Sequence, residues 1–478
     1  MTQVWRKLIS TVTLASLAAC GGGGGGSTGS TGSTGGTTTG GQTSAGCSLV
    51  ERENWAFGVL KEWYLFPETL PSSLSTAGYT TVPDYIDALT ATARSQRRDR
   101  YFTYLTSIAD ETAYYTSGSS AGFGFRVATD ATAGTATITE GFETAPAYAA
   151  GIDRGDRIDA IGTTTADLRT VSSIIASEGV AGVTNAFGPT TAGVTRVLRV
   201  IGPSGTRTVS VTKADYSLEP LSPRYGVKVI DDGGHKVGYI NLRTFITTAD
   251  AGLRDAFANF KSQGVTEVVI DLRYNGGGLV ATAELIGDLL GANRFTSDIF
   301  DKQTFRPEKT SNNVTRTFQP SAQSIAPTRI AFIGTGATAS ASELVINGMV
   351  PYLGTNMALV GANTYGKPVG QIAIDKSSCD DRLRVIAFAT QNGSGNANYF
   401  DGLATTVPVT CRAGDDATKP LGDVTEASLR AALDFVEGKP CSAGAIASGE
   451  QVAQSAHARE LLTPLQPTVA QREVTGLF

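Results

Sequence analysis

A strand that runs into a glycine-rich turn is predicted at residues 267–278, which read Glu-Val-Val-Ile-Asp-Leu-Arg-Tyr-Asn-Gly-Gly-Gly. A short continuous apolar run of this kind is typical of a strand that is buried on both faces. Similar runs at 236–242, 329–333 and 357–361 alternate with stretches of helical periodicity. Because alternating strands and helices pack as a helix-covered sheet, residues 225–442 are predicted to form an α/β core.

Two regions with other textures precede this core. Between residues 47 and 115, apolar residues recur at three- and four-residue spacings, which predicts a small helical N-terminal module. We expect no catalytic chemistry from this module. Between residues 120 and 214, short runs of alternating polarity predict a β domain.

The first 46 residues have the layout of an export signal followed by a linker. Basic residues precede an apolar run that ends at Leu17-Ala18-Ala19-Cys20, which predicts a signal peptide at 1–19. The ending resembles the lipobox of bacterial lipoproteins, in which Cys20 becomes the lipidated first residue; an ordinary signal peptide with a coincidental cysteine is the alternative. Residues 20–46 are mostly Gly, Ser and Thr and predict a flexible tether to a membrane. Gly21, rather than Asp, follows the cysteine, which resembles the pattern of bacterial lipoproteins sorted to the periplasmic face of the outer membrane. The inner membrane is the alternative.

Four cysteines remain once Cys20 is set aside. An even number in an exported chain predicts two disulfides, for which three pairings exist. We expect Cys379 to pair with Cys411, closing a polar loop, and Cys47 to pair with Cys441. Four free buried thiols are the alternative.

Composition excludes several classes of function. The chain has 39 basic and 44 acidic side chains, a net charge of −5, so nucleic acid is not an expected partner. Only two histidines occur, His235 and His457, too few for a zinc site by themselves and a poor basis for histidine-dependent catalysis. The sequence therefore predicts no metal and no cofactor.

Ser340 is the first candidate for chemistry. It follows the apolar strand at 329–333 and opens a helix, where free N–H groups can stabilise an oxyanion. The turn at Gly276-Gly277-Gly278 can supply a further backbone donor that pairs with the amide of Ala341. The alternative is purely structural, because Ser340 with Glu343 also makes a capping box.

Lys367 is the second candidate. Residues 361–368 nearly match the phosphate-binding P-loop, but Pro368 stands where that motif needs a Ser or Thr hydroxyl, so nucleotide binding is rejected. A lysine in an apolar cleft can lose enough pKa to act as a neutral base. A surface lysine after a turn is the alternative.

A third feature is the pair of motifs Gly122-Phe123-Gly124-Phe125 and, further on, Ala150-Gly151-Ile152-Asp153-Arg154-Gly155-Asp156. Together they resemble a PDZ domain at 120–214. In that family the first motif presents backbone N–H groups to the terminal carboxylate of a peptide, which adds a strand to the sheet. The glycines permit this close approach.

Three motifs in order resemble the carboxyl-terminal processing proteases, also called tail-specific proteases. They are Asp271-Leu272-Arg273-Tyr274-Asn275-Gly276-Gly277-Gly278, Thr338-Ala339-Ser340-Ala341-Ser342-Glu343 and Thr364-Tyr365-Gly366-Lys367. The resemblance covers about residues 50–440 and implies a crotonase-like α/β core behind a PDZ domain, with a Ser–Lys dyad. The helical module before these domains completes the expected fold.

By motif matching, the resemblance implies a role for each candidate residue. Ser340 would be the nucleophile, Lys367 the base and Gln371 the residue that orients the lysine. The amides of Ala341 and of Gly277 or Gly278 would form the oxyanion hole. The interval from Ser340 to Lys367 is two residues longer than is common in the family, so spacing alone would favour Ser342 as nucleophile.

The implied function is an exported, lipid-anchored endopeptidase acting on proteins or peptides with apolar C-termini. A non-catalytic peptide-binding scaffold of the cell envelope is the alternative. Residues 443–478 are expected to form a C-terminal tail whose apolar tip, Val474-Thr475-Gly476-Leu477-Phe478, could occupy the PDZ groove of its own chain. A frayed tail without a function is the alternative.

Overall fold

Residues 45–447 and 459–478 of the chain are described by a computed structural model. The expected signal peptide, the lipidated Cys20 and nearly all of the expected tether lie outside these residues. Within the two described ranges, no helix combines the length and the apolar character needed to cross a bilayer.

The N-terminal region is mainly helical, as expected. Its first helix begins at Ser48, whose hydroxyl accepts from the N–H of Glu51 while the Glu51 carboxylate accepts from the N–H of Ser48, a complete capping box. The elements of this region are α1 (Leu49–Trp63), α2 (Val82–Leu89), α3 (Ala91–Ser95), β1 (Tyr104–Ser107) and α4 (Ile108–Ser117).

The next region is a β domain with one long helix, which is broken at Gly179. Its elements are β2 (Ser119–Gly122), β3 (Phe125–Asp130), β4 (Thr135–Gly141), α5 (Pro146–Ala149), β5 (Arg157–Gly162), β6 (Arg169–Thr170), α6 (Val171–Phe187), β7 (Thr195–Gly202), β8 (Gly205–Thr212) and β9 (Ala214–Ser217). The sheet has the order β3-β4-β5-β7-β8, with all neighbours antiparallel and β6 beside β5. Alternate residues such as Phe125, Ile138 and Leu198 point into its core.

The α/β core predicted from the sequence is present. Its elements are β10 (Val227–Asp232), β11 (His235–Asn241), α7 (Ala249–Ser262), β12 (Glu267–Asp271), α8 (Val280–Leu289), β13 (Ile299–Phe305), β14 (Val314–Thr317), β15 (Arg329–Gly334), α9 (Ala341–Leu353), β16 (Met357–Gly361), β17 (Val369–Lys376), β18 (Asp381–Asn392), β19 (Val409–Arg412) and α10 (Ala427–Val436). The main sheet has the order β10-β11-β12-β15-β16-β19. All its pairs are parallel except β10 with β11.

Both faces of the main sheet are covered, which explains why its strands are apolar throughout. Ile270 and Phe332 point to the face packed by α7, α8 and α9. Val269 and Ile333 point to the opposite face, which is packed by α10 through Leu433 and its neighbours. Burial on two sides therefore fixes the register of the central strands.

A second sheet joins the N-terminal region to the core. In it β18 pairs with β1, β13 and β17, all antiparallel. The apolar faces of α1 and α2 pack against β17 and β18. The C-terminal segment adds two short elements, β20 (Glu460–Leu461), which pairs with β3, and α11 (Val469–Glu473).

The expected disulfide pairing is wrong, although all four cysteines form disulfides. Cys47 is paired with Cys379 at a Cα–Cα distance of 5.5 Å, and Cys411 with Cys441 at 5.2 Å. Cys379 lies in the turn between β17 and β18, beside the start of α1, whereas Cys411 lies on β19 near the residues that follow α10. The strand order of two different sheets decides these neighbours, and the intervals between cysteines carry no information on it.

Candidate functional site

The candidate residues follow the carboxyl ends of three neighbouring parallel strands. In the register of the main sheet, Asp271 at the end of β12 pairs with Ile333, and Gly334 at the end of β15 pairs with Gly361. The glycine turn, Ser340 and Lys367 follow these three ends along the chain. Parallel strands place their carboxyl ends at one edge of a sheet, where open α/β folds bind ligands.

Ser340 lies at the N-terminus of α9 in a strained backbone conformation. Its φ and ψ are 57° and −115°, a combination that residues other than glycine rarely adopt. Such strain is retained where the surrounding structure enforces it, most often at functional sites. The side chain is partly exposed and stands where the positive end of the helix dipole and free N–H groups face outward.

Ser342 has a different environment. It is fully buried, and its hydroxyl donates to the carbonyl oxygen of Asn275 at 3.1 Å. This bond ties α9 to the glycine turn. The geometry therefore favours a structural role for Ser342 and leaves Ser340 as the accessible hydroxyl.

The glycine turn approaches Ser340 very closely. A Cβ atom on Gly277 would lie 2.7 Å from the Cβ of Ser340 and 3.1 Å from the amide nitrogen of Ala341, and its φ of +120° also favours glycine. The N–H of Gly277 donates to the side-chain oxygen of Asn275 at 2.9 Å. Within residues 45–447 and 459–478, the N–H groups of Gly278 and Ala341 donate to no other group, so these two remain available for an oxyanion.

Lys367 and Gln371 are in contact. The ammonium nitrogen of Lys367 donates to the side-chain oxygen of Gln371 at 3.3 Å, and the Gln371 amide nitrogen donates to the carbonyl of Phe102. The second bond determines which atom of the Gln371 amide faces the lysine. The ring of Phe102 lies against Lys367, with its centroid 5.1 Å from the ammonium nitrogen.

Burial is the main influence on the charge of Lys367. Loss of water lowers its pKa below the usual lysine value, because the neutral form is easier to bury. The negative charges of Glu473 and Asp99 oppose this effect, while Arg472 and Arg384 reinforce it. A lysine in this environment is suited to accept a proton near neutral pH.

Glu343 connects the two candidate residues through their backbones. Its carboxylate accepts from the N–H of Ser340 at 3.0 Å, and from the N–H groups of Gly366 and Lys367 at 2.7 Å each. The side chain is fully buried, so burial raises its pKa, and these hydrogen bonds oppose the rise. Sequence analysis assigned Glu343 only to a helix cap, because its contact with the Lys367 segment depends on the fold.

Replacing Glu343 with Gln is expected to lower kcat/KM for a peptide substrate by about 10- to 100-fold, because one of the three donors then faces an amide NH₂ group and Lys367 shifts relative to Ser340. Steady-state kinetics measure this loss, and circular dichroism checks that the fold is kept. Glu308→Gln, at an exposed position, is the matched control. Activity within twofold of wild type in Glu343→Gln would contradict the positioning role.

The N-terminal region, from which we expect no catalytic chemistry, supplies positioning contacts to the site. Besides the carbonyl of Phe102, it supplies Arg100, whose guanidinium donates to the carbonyl oxygens of Tyr365 at 2.7 Å and Phe400 at 3.1 Å, and also to Gly366. These bonds hold the segment that leads into Lys367. Nothing in the local sequence signals this role.

The motif Gly122-Phe123-Gly124-Phe125 lies at the end of β2 and the start of β3. Both phenylalanines are buried, with ring centroids 5.5 Å apart. The N–H of Gly124 donates to the carboxyl-terminal oxygen of Phe478 at 2.7 Å. The last residue therefore lies at the loop that we predicted from the sequence to bind a carboxylate.

Comparisons with known proteins agree with the resemblance seen in the sequence. Residues 236–409 match the sequence model of Peptidase family S41. The chain is 27% identical over 253 residues to a carboxyl-terminal-processing protease of Picosynechococcus, covering 53% of this chain and 55% of that protein. It is 28% identical over 181 residues to a chloroplastic C-terminal processing peptidase of Tetradesmus obliquus, covering 37% of each. The matches span about half the length of these relatives or less.

The fold is also found among solved structures. A protein of Bacteroides fragilis classed as an S41 protease superposes with a TM-score of 0.61 at 24% identity, covering 80% of this chain and 97% of that chain. At this identity the likeness concerns the fold alone. The relationship to the carboxyl-terminal processing proteases, inferred from three motifs, is confirmed by the family and sequence matches.

Proposed function

We propose that this chain, a relative of the carboxyl-terminal processing proteases through its S41 segment at 236–409, is a serine endopeptidase with a Ser–Lys dyad. Ser340 is the nucleophile, Lys367 the general base and Gln371 the residue that orients the lysine. The amides of Ala341 and Gly278 bind the oxyanion. The observation that carries the proposal is the partly buried Lys367. Its ammonium group contacts Gln371, and its backbone is held through Glu343 to the backbone of a strained, accessible Ser340.

The first half of the reaction forms an acyl enzyme. Neutral Lys367 takes the proton of the Ser340 hydroxyl, whose oxygen forms a bond to the carbonyl carbon of the substrate. The carbonyl oxygen becomes negative and is stabilised by backbone donors and by the N-terminus of α9. As the C–N bond breaks, protonated Lys367 gives its proton to the leaving amine.

The second half regenerates the enzyme. Lys367, neutral again, takes a proton from a water molecule that attacks the ester carbon. The ester bond to Ser340 breaks, and the lysine returns the proton to the serine oxygen. The two halves balance without a metal or cofactor.

Substrate recognition is assigned to the domain at 120–214, read as a PDZ domain. Its loop at Gly122-Phe123-Gly124-Phe125 holds the C-terminal carboxylate, and the substrate chain adds to the edge of β3. Proteins with apolar C-termini are the proposed substrates. Export and a lipid on Cys20 place the enzyme on a bacterial membrane, and the order of signal, apolar run and cysteine supports this location.

The direct test is cleavage of an unfolded protein with an apolar C-terminus, followed by mass spectrometry of the products. We expect the free-acid substrate to be cut at least about tenfold faster than the same substrate with an amidated C-terminus, because the amide removes the charge that the loop would bind. Equal rates would contradict the role of the loop. If neither the full chain nor a chain ending at Thr468 cleaves anything, the peptide-binding scaffold becomes the better assignment.

A further inference from the structure

The edge of β3 is already occupied by the chain's own C-terminal segment. The terminal oxygen of Phe478 accepts from the N–H groups of Gly124 at 2.7 Å and Phe125 at 3.4 Å, and the N–H of Phe478 donates to the carbonyl of Phe125 at 3.0 Å. Further along β3, Val127 donates to the carbonyl of Gly476 at 2.9 Å. This is the pattern of strand addition, with the last three residues as the added strand.

The terminal side chain fills an apolar site. Phe478 is 3% exposed, and its ring centroid lies 5.0 Å from that of Phe187 in the cluster that includes Phe123 and Phe125. Burial of this large apolar ring stabilises the bound position of the chain end. The side-chain amide of Gln471 donates to the carbonyl of Leu477 at 2.9 Å and holds the end of the chain in this position.

The residues just before the tip of the chain lie against the glycine turn. The N–H of Gly276 donates to the carbonyl oxygen of Glu473 at 2.8 Å, and Val474 pairs with Asn275 in an isolated antiparallel bridge. A Cβ atom on Gly276 would come within 2.4 Å of the carbonyl oxygen of Arg472. The tail therefore occupies the backbone N–H of Gly276, the first residue of the glycine turn.

At the glycine turn the tail does not have the extended conformation of a substrate. Residues Val469–Glu473 form α11, and the N–H of Val474 donates to the carbonyl of Ala470 at 2.8 Å. A peptide bond within a helical turn has its groups engaged in the helix and is not laid out as an extended chain. The segment therefore lies against the glycine turn in a helical conformation that a serine nucleophile cannot readily attack.

Glu473 adds an electrostatic contribution. Its carboxylate accepts from the hydroxyl of Tyr115 at 3.0 Å and is almost fully buried. Its negative charge favours the protonated form of Lys367, which cannot act as a base. Glu473 thus opposes the desolvation that lowers the pKa of Lys367, whereas Arg472 of the same segment reinforces it.

We propose that residues 469–478 are an intramolecular competitor that occupies both the terminus-binding edge of β3 and the cleft at Gly276, keeping the enzyme latent. This inference rests on the proposed function. Peptides with a free carboxylate and a large apolar last residue are the ligands that displace the tail. Because the tail is tethered, its effective concentration is of the order of millimolar, which a free peptide has to overcome.

The test compares the full chain, a chain ending at Thr468 and the variant Phe478→Asp, all in a Ser340→Ala background. Binding of fluorescein-labelled Val-Thr-Gly-Leu-Phe, as free acid, is followed by fluorescence polarisation, with its amide as control. We expect at least about tenfold tighter binding of the free acid by both altered chains than by the full chain. Leu465→Ser, four residues before this segment at a residue that is 97% exposed, is the matched control with unchanged binding.

The same set with Ser340 restored is assayed for cleavage. An increase of about tenfold or more in the initial rate of cleavage for both altered chains supports latency. If the shortened chain unfolds at a lower temperature than the full chain, the full-length variant Phe478→Asp still tests the proposal. Equal peptide affinity in the full and altered chains would overturn the proposal. Absence of cleavage in every version would contradict the endopeptidase, while the affinities would still decide whether the tail competes.

Discussion

Ser340→Ala is expected to lower kcat by about 10⁴-fold or more, with little change in KM, because the variant keeps the binding groups and loses the atom that forms the acyl enzyme. The measurement is single-turnover cleavage of an unfolded protein, run beside an active-site label such as a fluorophosphonate that forms a bond with activated serines. Neither cleavage nor labelling is expected. The free energy of unfolding should change little, since alanine keeps the Cβ atom and with it the same strained backbone conformation.

Ser342→Ala is the matched control, two residues away in the same helix. It removes the hydrogen bond to the carbonyl of Asn275 and costs about 1 kcal/mol of stability. Labelling and most of the activity should remain. If Ser340→Ala were active and Ser342→Ala were not, the assignment of the nucleophile would be reversed, as the spacing to Lys367 alone would favour.

Lys367→Met is expected to lower kcat by about 10³-fold or more, because Lys367 is the proposed general base and a methionine of similar length cannot accept the proton of Ser340. Unfolding should require at least as much denaturant as for wild type, since the change replaces a partly buried ammonium group with an apolar side chain. Lys376→Met, at the far end of β17 and partly exposed, is the control that should retain activity. Retained cleavage by Lys367→Met would contradict the dyad.

The same lysine predicts the pH dependence of cleavage. Activity should rise with pH as Lys367 loses its proton, and burial places this rise below the pKa of an ordinary lysine. Four charged groups act on it: Glu473 and Asp99 raise the pKa of Lys367, and Arg472 and Arg384 lower it. Glu473→Gln should therefore move the rising limb of the log kcat profile to lower pH. A limb that stays in place in Glu473→Gln would show that another group controls the rate.

Local patterns were sufficient for much of this protein. The apolar runs at 267–271 and 329–334 are strands buried on both faces, and the helices between them follow from their periodicity. The three motifs were sufficient to identify the relationship to the processing proteases. Each of these features depends on neighbours within a few residues, which the sequence displays directly.

Such local patterns did not predict contacts between residues that are far apart in the sequence. The disulfide pairing was wrong because Cys47 and Cys379 are brought together by the docking of α1 on β17 and β18. Arg100 and the carbonyl of Phe102 act on the lysine segment more than 260 residues later. From the sequence, Glu343 is predicted only to cap a helix. In the fold, the segment after β16 places the N–H groups of Gly366 and Lys367 against its carboxylate.

The sequence by itself determined the parallel strands near 236–242, 267–271, 329–333 and 357–361 with the helices between them, the candidate residues and the family they resemble, because periodicity and motif chemistry are local. Tertiary structure alone decided which cysteines pair, which serine is accessible and what holds the lysine. It also decided that the last residues lie along β3 and against the glycine turn. From the sequence, only the apolar character of the last residues was evident. The physical reason is that hydrogen bonds and burial act on distances in space, and the order of strands in the sheets sets those distances.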